Sequence, residues 1–403
     1  MCVVGARPNF MKMAPLMVAL RQPADPFDCT LVHTGQHYDI AMSDVFFSQL
    51  GMPEPDVYLG IGPGTQGSQT GRMMIALETV LSDRRPDLVL VVGDVTSTLA
   101  ATLVAAKAGV PVAHVEAGLR SFDRRMPEEI NRVVTDALST YLFATEEDGV
   151  ANLRLEGVQD GRIFLVGNVM IDTLTALLPR IRRRRMAAEL GMTRGQYGVV
   201  TLHRPSNVDD AGVLDDWVSA LERIGSVLPL VFPAHPRTAA RLAGAGLDRR
   251  LAGSGVKVVE PLPYVEFISL VADSSLVLTD SGGIQEETTV LGIPCLTLRD
   301  STERPVTVQL GTNTLVGAEP EAAVMAVERA LSGPPKAYTV PPLWDGKAAE
   351  RIAQILRGMP WRAYLTNPGT GPREPSGAAG RLESAQPMSK RRQTDVASNF
   401  EAD

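Results

Sequence analysis

The chain has 403 residues, of which 44% are hydrophobic and 21% charged, and its formal net charge is −7. This composition excludes a disordered or fibrous protein, and the negative charge argues against broad attraction to nucleic acid or anionic membranes. No apolar run reaches the roughly 18 residues of a membrane span, no signal peptide opens the chain, and the three cysteines form no CxxC pair. We therefore expect a cytoplasmic protein of two or three domains, with no nucleic-acid or membrane partner.

Apolar segments alternate with helical patterns over residues 1–170. The continuous apolar run at 87–92 ends at Gly93 and is typical of a strand buried on both faces of a parallel sheet. Thr and Ser at the start and Gly109 at the end predict a helix over 96–108. Further strands are predicted at 2–4, 30–33, 110–115, 142–144 and 163–166, and a helix at 11–20. Such alternation predicts a doubly wound α/β domain.

The same pattern restarts over residues 171–343, which predicts a second α/β domain of similar size. Its strands are predicted at 198–202, 230–232, 256–259, 276–279 and 295–298, with a helix at 215–228. A terminal helix is predicted at 347–356. From 363 to 403 Gly, Pro, Ser, Arg and Glu dominate, so a disordered tail is expected.

Ligands of parallel α/β domains bind outside the carboxyl ends of the strands, so polar residues at strand ends are the first candidates. Arg7 and Lys12 follow the first predicted strand and lie near the start of a helix, where free N–H groups favour anions. Only six of the 39 basic residues are lysines, which makes Lys12 a rare residue type in this chain. Solvated surface charges are the commoner fate of such residues, but the turn at Gly5 favours phosphate contact.

Three carboxylates occupy comparable places: Asp94 and Glu116 after strands, and Glu128 at the start of a helix. Each has a structural alternative, since Asp94 can cap the next helix, Glu116 can pair with Arg120, and the helix dipole alone favours Glu128. Together in one crevice, however, like charges push their pKa values apart and create distinct acid and base roles. We therefore predict a carboxylate cluster with acid–base chemistry.

The second domain supplies further candidates at strand ends. A lone histidine is usually structural, but a histidine at the end of a strand faces the predicted cleft. The two-glycine turn can cradle a phosphate with its N–H groups, or can simply be a tight turn, and a glutamate one helical turn later can accept from ribose hydroxyls. These candidates are His203, Ser281, Gly282, Gly283, Glu287 and Arg304.

Two other patterns predict no site. The five histidines show no zinc-ligand spacing. The basic run at 180–185 has no interleaved aromatic residues, so a solvated helix face is favoured over a nucleic-acid surface.

Taken together, the candidate segments resemble the non-hydrolysing UDP-N-acetylglucosamine 2-epimerases. The segments that carry the resemblance are GARPNFMKMAPL, TGQHYD, GDVTST, VEAGLR, PEEINR, HRPSNVDD, DSGGIQEE and RDSTERP. The resemblance implies two Rossmann-like domains in a GT-B-like fold, an active site in the cleft between them, a helix within 344–362 that returns to the first domain, and a homodimer. It also implies interconversion of UDP-GlcNAc and UDP-ManNAc, by anti elimination of UDP to 2-acetamidoglucal and re-addition, with no metal or redox cofactor.

The resemblance also implies roles for individual residues. Asp94, Glu116 and Glu128 match the family's catalytic carboxylates, and which of them removes the proton stays open. His203 matches the cleft histidine that contacts the diphosphate. The remaining matches are to UDP-binding positions, at Arg7, Lys12, Ser281, Gly282, Glu287 and Arg304.

The chain departs from the family pattern in several places. Ala6 and Asn9 replace residues of a GTRPE motif, and Pro205 and Ser206 replace part of an HRRE-like motif. Gln36 and His37 match part of a second, activating UDP-GlcNAc site of some bacterial members, but Asp39 and residues 235–237 differ, so substrate activation is not expected. The short first strand suggests that a few residues precede Met1. Three alternatives stay open: a hydrolysing 2-epimerase that releases ManNAc, a GT-B glycosyltransferase, and a UDP-sugar sensor.

Overall fold

The computed structural model describes residues 1–22, 27–36 and 49–359. These residues form a seven-stranded and a six-stranded sheet, and the strand pairings in both sheets are parallel. The predicted α/β class with two doubly wound domains is therefore confirmed. The tail predicted to be disordered at 363–403 lies outside the described residues.

The first sheet is built from the N-terminal part of the chain. Its strands are β1 (Cys2–Val4), β2 (Leu31–His33), β3 (Val57–Tyr58), β4 (Val89–Val92), β5 (Val112–Ala117), β6 (Tyr141–Ala144) and β7 (Ile163–Leu165). The helices of this part are α1 (Arg7–Leu20), α2 (Gln66–Arg84), α3 (Thr96–Lys107), α4 (Pro127–Leu138) and α5 (Glu147–Leu155). The strand order is β3-β2-β1-β4-β5-β6-β7, so the direction of winding reverses between β1 and β4.

The second sheet follows after α6 (Val169–Arg183) and the short helix α7 (Met186–Glu189). Its strands are β8 (Gly198–Thr201), β9 (Leu230–Pro233), β10 (Val256–Val259), β11 (Leu276–Thr279), β12 (Cys295–Thr297) and β13 (Asn313–Leu315). Its helices are α8 (Pro205–Val208), α9 (Ala211–Val227), α10 (Pro236–Gly244), α11 (Asp248–Ala252), α12 (Tyr264–Ala272), α13 (Gly282–Leu291), α14 (Pro305–Gln309) and α15 (Pro320–Ser332). The order β10-β9-β8-β11-β12-β13 reverses between β8 and β11.

Most of the predicted strands and helices are present within a few residues of their predicted limits. One difference affects the site: the strand predicted to end at Val115 continues to Ala117, so Glu116 lies inside β5 and not after it. The short strands β3 and β13, with two and three residues, are not among the predicted elements. β3 has only two residues, and two of the three residues of β13 are the polar Asn313 and Thr314, so neither forms the apolar run that predicts a buried strand.

The last described helix, α16 (Ala348–Gly358), packs against α1 and α6. The backbone N–H groups of Ala348 and Ala349 donate to the Asp172 carboxylate at 3.1 and 2.7 Å, and Arg357 Nη2 donates to the Ala19 carbonyl at 2.9 Å. The chain therefore ends its described part against α1 of the first domain and against α6, the helix that connects the two sheets. The residue limits predicted for the domains, 1–170, 171–343 and 344–362, stay predictions. No helix in the described ranges is long and apolar enough to cross a membrane.

Candidate active site

The predicted site residues cluster at the two places where the strand order reverses. On the first sheet, the loops after β1 and β4 lead to Lys12 and Asp94, and β5 beside them carries Glu116. On the second sheet, the loops after β8 and β11 carry His203 and Ser281. Ligands of doubly wound sheets bind at such switch points, because the two flanking loops diverge there and leave a crevice.

Glu116 joins the two domains through its side chain. Its Oε2 forms an ion pair with Lys12 Nζ, and its Oε1 accepts a hydrogen bond of 2.8 Å from Arg304 Nη2 of the second domain. All three side chains are buried. The predicted alternative, an ion pair with Arg120, is not what the structure shows, since Arg120 pairs with Asp136 and Glu156.

The backbone at Glu116 is strained. Its φ of 75° lies in the left-handed region, and the register between β5 and β6 shifts between Val115 and Ala117. Such a conformation costs a non-glycine residue about 1 to 3 kcal/mol and is concentrated at functional sites. From this strained position the Glu116 carboxylate pairs with Lys12 and Arg304.

Gly93 makes room for this arrangement. Its φ is 65°, and a Cβ at this position would lie 2.8 Å from Lys12 Nζ and 3.7 Å from Glu116 Oε2. A side chain would therefore displace the Lys12 ammonium from Glu116. The glycine that ends the apolar strand is required by the charged pair beside it.

Asp94 does not cap the next helix, because the N-cap position of α3 is Val95. Its Oδ2 instead pairs with Arg132 Nη2 at 2.5 Å, and its carbonyl accepts from Asn131 Nδ2 at 2.8 Å. Burial by itself raises the pKa of Asp94, but the charges of Arg132 and then Lys12 outweigh it and hold the pKa below its ordinary value. Asp94 is therefore ionised at neutral pH.

Glu128 and Glu129 are neighbours at the start of α4 with opposite environments. Glu128 is exposed, and its charge raises the pKa of Arg204 on the loop after β8, where burial is the larger influence and lowers it. Glu129 is buried and accepts hydrogen bonds of 2.9 Å from Ser121 N, Ser121 Oγ and Phe122 N. Of the two, Glu128 is free to meet a ligand, whereas Glu129 holds the loop after β5.

His203 is positioned by a buried aspartate that the sequence analysis did not single out. His203 Nδ1 lies 2.7 Å from Asp280 Oδ1, and Asp280 Oδ2 accepts from the N–H groups of His203 and Arg204 at 2.9 and 2.8 Å. The Asp280 side chain is fully buried, while the His203 side chain is 42% exposed. Nδ1 faces the carboxylate, so His203 presents its other nitrogen, Nε2, to the cleft.

The two-glycine turn opens α13, with Ser281 at its N-cap. A Cβ at Gly282 would lie 2.6 Å from Glu303 Oε1 and 2.7 Å from Arg304 Nη1, whereas one at Gly283 would meet nothing within 4 Å. Gly282 therefore lets the turn approach Arg304 closely. Glu287, one turn into the helix, is buried.

Of three further predicted residues, the structure describes Gln36 in full, only the backbone of Arg7, and nothing of His37. Arg7 is the first residue of α1, and its side chain lies outside the described part of the structure. Gln36 Oε1 accepts from Ser97 N at 3.1 Å and Ser97 Oγ at 2.8 Å, so this side chain is bound to the start of α3. His37 lies outside the described residues, and the second site stays a prediction.

Sequence reasoning missed four charged residues of this region. Arg132, Asp280 and Glu286 stand within the quoted segments, but nothing in one sequence separates them from their neighbours. Glu146 has no signal in the sequence and becomes visible only as a buried carboxyl group. Within the described residues, no three His, Cys, Asp or Glu side chains are grouped as metal ligands.

Comparison with known proteins identifies the chain. The model of the UDP-N-acetylglucosamine 2-epimerase family matches residues 20–357. A UDP-N-acetylglucosamine 2-epimerase of Methanocaldococcus jannaschii is 44% identical over 360 residues, which are 88% of this chain and 97% of that protein. A UDP-2,3-diacetamido-2,3-dideoxy-D-glucuronate 2-epimerase of Pseudomonas aeruginosa is 41% identical over 362 residues, with 88% and 98% coverage.

The fold is shared as well. The crystal structure of the M. jannaschii UDP-GlcNAc 2-epimerase in complex with UDP-GlcNAc and UDP matches with a TM-score of 0.81 at 42% identity, and covers 88% of this chain and 98% of that one. The two facing parallel sheets therefore define an enzyme of the GT-B-like fold class. The chain belongs to the UDP-N-acetylglucosamine 2-epimerase family.

Proposed function

We propose that this protein interconverts UDP-GlcNAc and UDP-ManNAc by inverting C2 of the sugar, and that the product sugar stays attached to UDP. The observation that carries the proposal is Glu116, a residue of the first sheet with a strained backbone, whose carboxylate contacts Arg304 of the second domain. This contact supports the proposal because the reaction needs a carboxylate for proton transfer near a cation for the departing diphosphate. Family membership and the UDP-GlcNAc bound by the M. jannaschii relative support the same substrate class.

The chemistry explains why carboxylates and cations are needed together. The C2 hydrogen of the sugar is not acidic, so its removal must be coupled to departure of UDP from C1. In an anti elimination, a carboxylate takes the C2 proton, the C–H electron pair becomes the C1–C2 double bond, and the C1–O bond breaks with its electrons leaving on UDP. This step gives 2-acetamidoglucal and UDP. Re-addition of UDP, with a proton delivered to the other face of C2, gives the epimer.

The residues divide between proton transfer at C2 and stabilisation of the departing diphosphate. Asp94, Glu116 and Glu128 supply the base and the acid, and the assignment among them stays open. The charges of the departing diphosphate are held by Lys12 and Arg304.

The second domain binds the nucleotide in this proposal. His203 and the N–H groups at the start of α13, after Ser281, take the diphosphate, because a helix N-terminus favours anions. Glu287 accepts from the ribose hydroxyls. Because elimination and addition are redox-neutral overall, the reaction requires no redox cofactor.

Proton NMR of the protein with UDP-GlcNAc in deuterated water tests the proposal. We expect deuterium at C2 and a mixture of UDP-GlcNAc and UDP-ManNAc with no acceptor present. Free ManNAc accumulating from the first time points would instead show the hydrolysing reaction. A requirement for an acceptor would show a glycosyltransferase, and tight UDP-GlcNAc binding without turnover would show a sensor.

A second substrate has a specific observation in its favour. The P. aeruginosa relative that acts on a diacetamido glucuronate is 41% identical, close to the 44% of the M. jannaschii relative. Both substrates use the same C2 chemistry. The ratio of kcat/KM for UDP-GlcNAc and for UDP-2,3-diacetamido-2,3-dideoxyglucuronate decides between them, and we expect it to favour UDP-GlcNAc.

A further inference from the structure

A buried acid that the proposed reaction does not use lies at the cleft. Glu146 follows β6 and occupies the N-cap position of α5, and its side chain is only 4% exposed. The Thr145 hydroxyl donates to its Oε2. Its Oε1 has no hydrogen-bond partner among the described residues.

The other domain contributes a second buried acid whose charge acts on Glu146. Glu286 of α13 is 1% exposed, its Oε1 accepts from Arg304 Nε at 2.5 Å, and its Oε2 has no hydrogen-bond partner in the described ranges. The charges of Glu286 and Glu116 raise the pKa of Glu146, and the charge of Arg304 lowers it. The charges of Glu116 and Lys12 act on Glu286 in opposite directions, Glu116 raising its pKa and Lys12 lowering it. Glu146 therefore borders the chain of contacts that links the two domains.

The two cations of this region, Arg304 and Lys12, already pair with other carboxylates. Arg304 donates through Nε to Glu286, through Nη1 to Glu303 at 2.6 Å, and through Nη2 to Glu116 at 2.8 Å. Lys12 pairs with Glu116. No cation in the described part of the chain forms an ion pair with Glu146, and an unpaired buried carboxylate is costly.

The neutral acid is the form that fits this environment. Burial is the main cause that raises the pKa of Glu146, to about 8, and the charges of Glu286 and Glu116 act in the same direction. Burial also raises the pKa of Glu286, although Arg304 opposes it. An ionised Glu146 would add a fourth carboxylate charge around one guanidinium.

We propose that Glu146 is a positioning residue which, as a neutral carboxylic acid, allows the Glu286–Arg304–Glu116 contacts to form across the two domains. This inference rests on the proposed function, because it concerns the placement of Arg304 and Glu116 for that reaction. When Glu146 loses its proton, its charge repels Glu286 and Glu116 and competes with them for Arg304. Arg304 then leaves Glu116, and the cleft loses its active arrangement.

The pH dependence of kcat/KM tests the role of the proton. We expect the wild-type value to fall above about pH 8, approaching tenfold per pH unit once the group ionises. Glu146→Gln keeps the shape and the Thr145 contact without a titrating proton, so it should stay within threefold of wild type at pH 7 and lose this alkaline decline. Glu147→Gln, an exposed neighbour, is the matched control and should keep the wild-type profile.

Two results would overturn the proposal. One is a Glu146→Gln enzyme whose alkaline decline has the wild-type midpoint. The other is a Glu146→Gln enzyme that loses activity equally at every pH, as a purely structural residue would.

Thermal unfolding without substrate separates this proposal from the proposed function. The folded chain holds the Glu146 proton up to about pH 8, whereas an unfolded glutamate releases it near pH 4. The stability that this proton contributes is therefore complete below the unfolded pKa and is lost as the pH rises through the folded one. We expect the Tm of Glu146→Gln minus that of wild type to grow from pH 5 to 8 and then level off, whatever substrate the enzyme uses.

A pH-independent Tm difference would contradict the Glu146 proposal even if epimerisation is observed. If Glu146→Gln does not fold, Glu286→Gln tests the same contact. Removing the neighbouring charge should lower the pKa of Glu146 and move the midpoint of the stability loss to lower pH. An unchanged midpoint in that variant would also count against the proposal.

Discussion

The two strand edges that form the cleft differ in how they hold charge. At the first edge, Lys12 and Glu116 are buried, and Asp94 is paired with Arg132. At the second edge, Glu286, Glu287 and Arg304 are buried as well, but the buried Asp280 presents a half-exposed His203 beside the open N-terminus of α13. Fixed buried charges suit proton transfer, because they need little reorganisation during the reaction. Exposed donors suit a ligand that arrives from solvent and covers them.

The largest effect on turnover is expected for a substitution at the first edge, Glu116→Gln. In Glu116→Gln the side chain keeps its size and loses its charge, so kcat should fall about 10²- to 10⁴-fold, the usual contribution of an acid–base group. UDP affinity should not fall, because Lys12 and Arg304 remain and lose a competing anion. NMR turnover and calorimetric titration with UDP measure the two quantities. Turnover within threefold of wild type would remove Glu116 from the reaction.

The neighbouring residues Glu128 and Glu129 on α4 distinguish an effect on turnover from an effect on stability at the same edge. Glu128→Gln should lower kcat about 10²-fold, while its free energy of unfolding stays within about 0.5 kcal/mol of wild type, because the residue is exposed. Glu129→Gln should lower the free energy of unfolding by about 1 to 3 kcal/mol, because its carboxylate accepts three hydrogen bonds and pairs with Arg132. Urea unfolding and turnover measure both. The reverse pattern would exchange the roles assigned to the two residues.

The glycine pair tests the second edge. In Gly282→Ala the added methyl group meets Glu303 and Arg304, and if the overpacking of about 1 to 3 kcal/mol falls on the UDP complex, UDP affinity should drop about 5- to 150-fold. Gly283→Ala keeps the backbone N–H and meets nothing within 4 Å, so its UDP affinity should stay within twofold of wild type. Equal losses in both variants would contradict the close approach of the turn to Arg304.

The smallest effect is expected far from either edge. Arg182 is exposed near the end of α6, within the basic run at 180–185. In Arg182→Glu the free energy of unfolding should change by less than about 0.5 kcal/mol, as for most surface substitutions. UDP affinity should not change either. Fluorescence anisotropy with a DNA oligonucleotide should show no binding by the wild type, and binding that the variant abolishes would show that the run is a nucleic-acid surface.

Much of the fold could be predicted because its signals are local. Buried parallel strands are apolar runs that end at glycine or a polar residue, as at Gly93, and the intervening helices have their own periodicity. The rule that ligands bind at the carboxyl ends of strands then selects Asp94 and His203 as candidates from the sequence alone. The structure places both at switch points, and their catalytic roles stay proposals.

The arrangement of the site could not be predicted in the same way. Glu116 and Arg304 are 188 positions apart in the chain, and their contact depends on how the two sheets face each other. The choice between Glu128 and Glu129 depends on which side of α4 packs against the loop after β5. A single sequence contains the residue types and their periodicity, but neither of these packing relations.

The sequence by itself therefore determined the α/β class, the strand ends and most of the candidate side chains, because hydrophobic periodicity and turn residues act over a few neighbouring positions. The tertiary structure decided the left-handed backbone of Glu116, the partner of Asp280 and the burial of Glu146. These properties arise from contacts between segments that are distant in the chain, since burial and charge pairing depend on what the packed elements bring together.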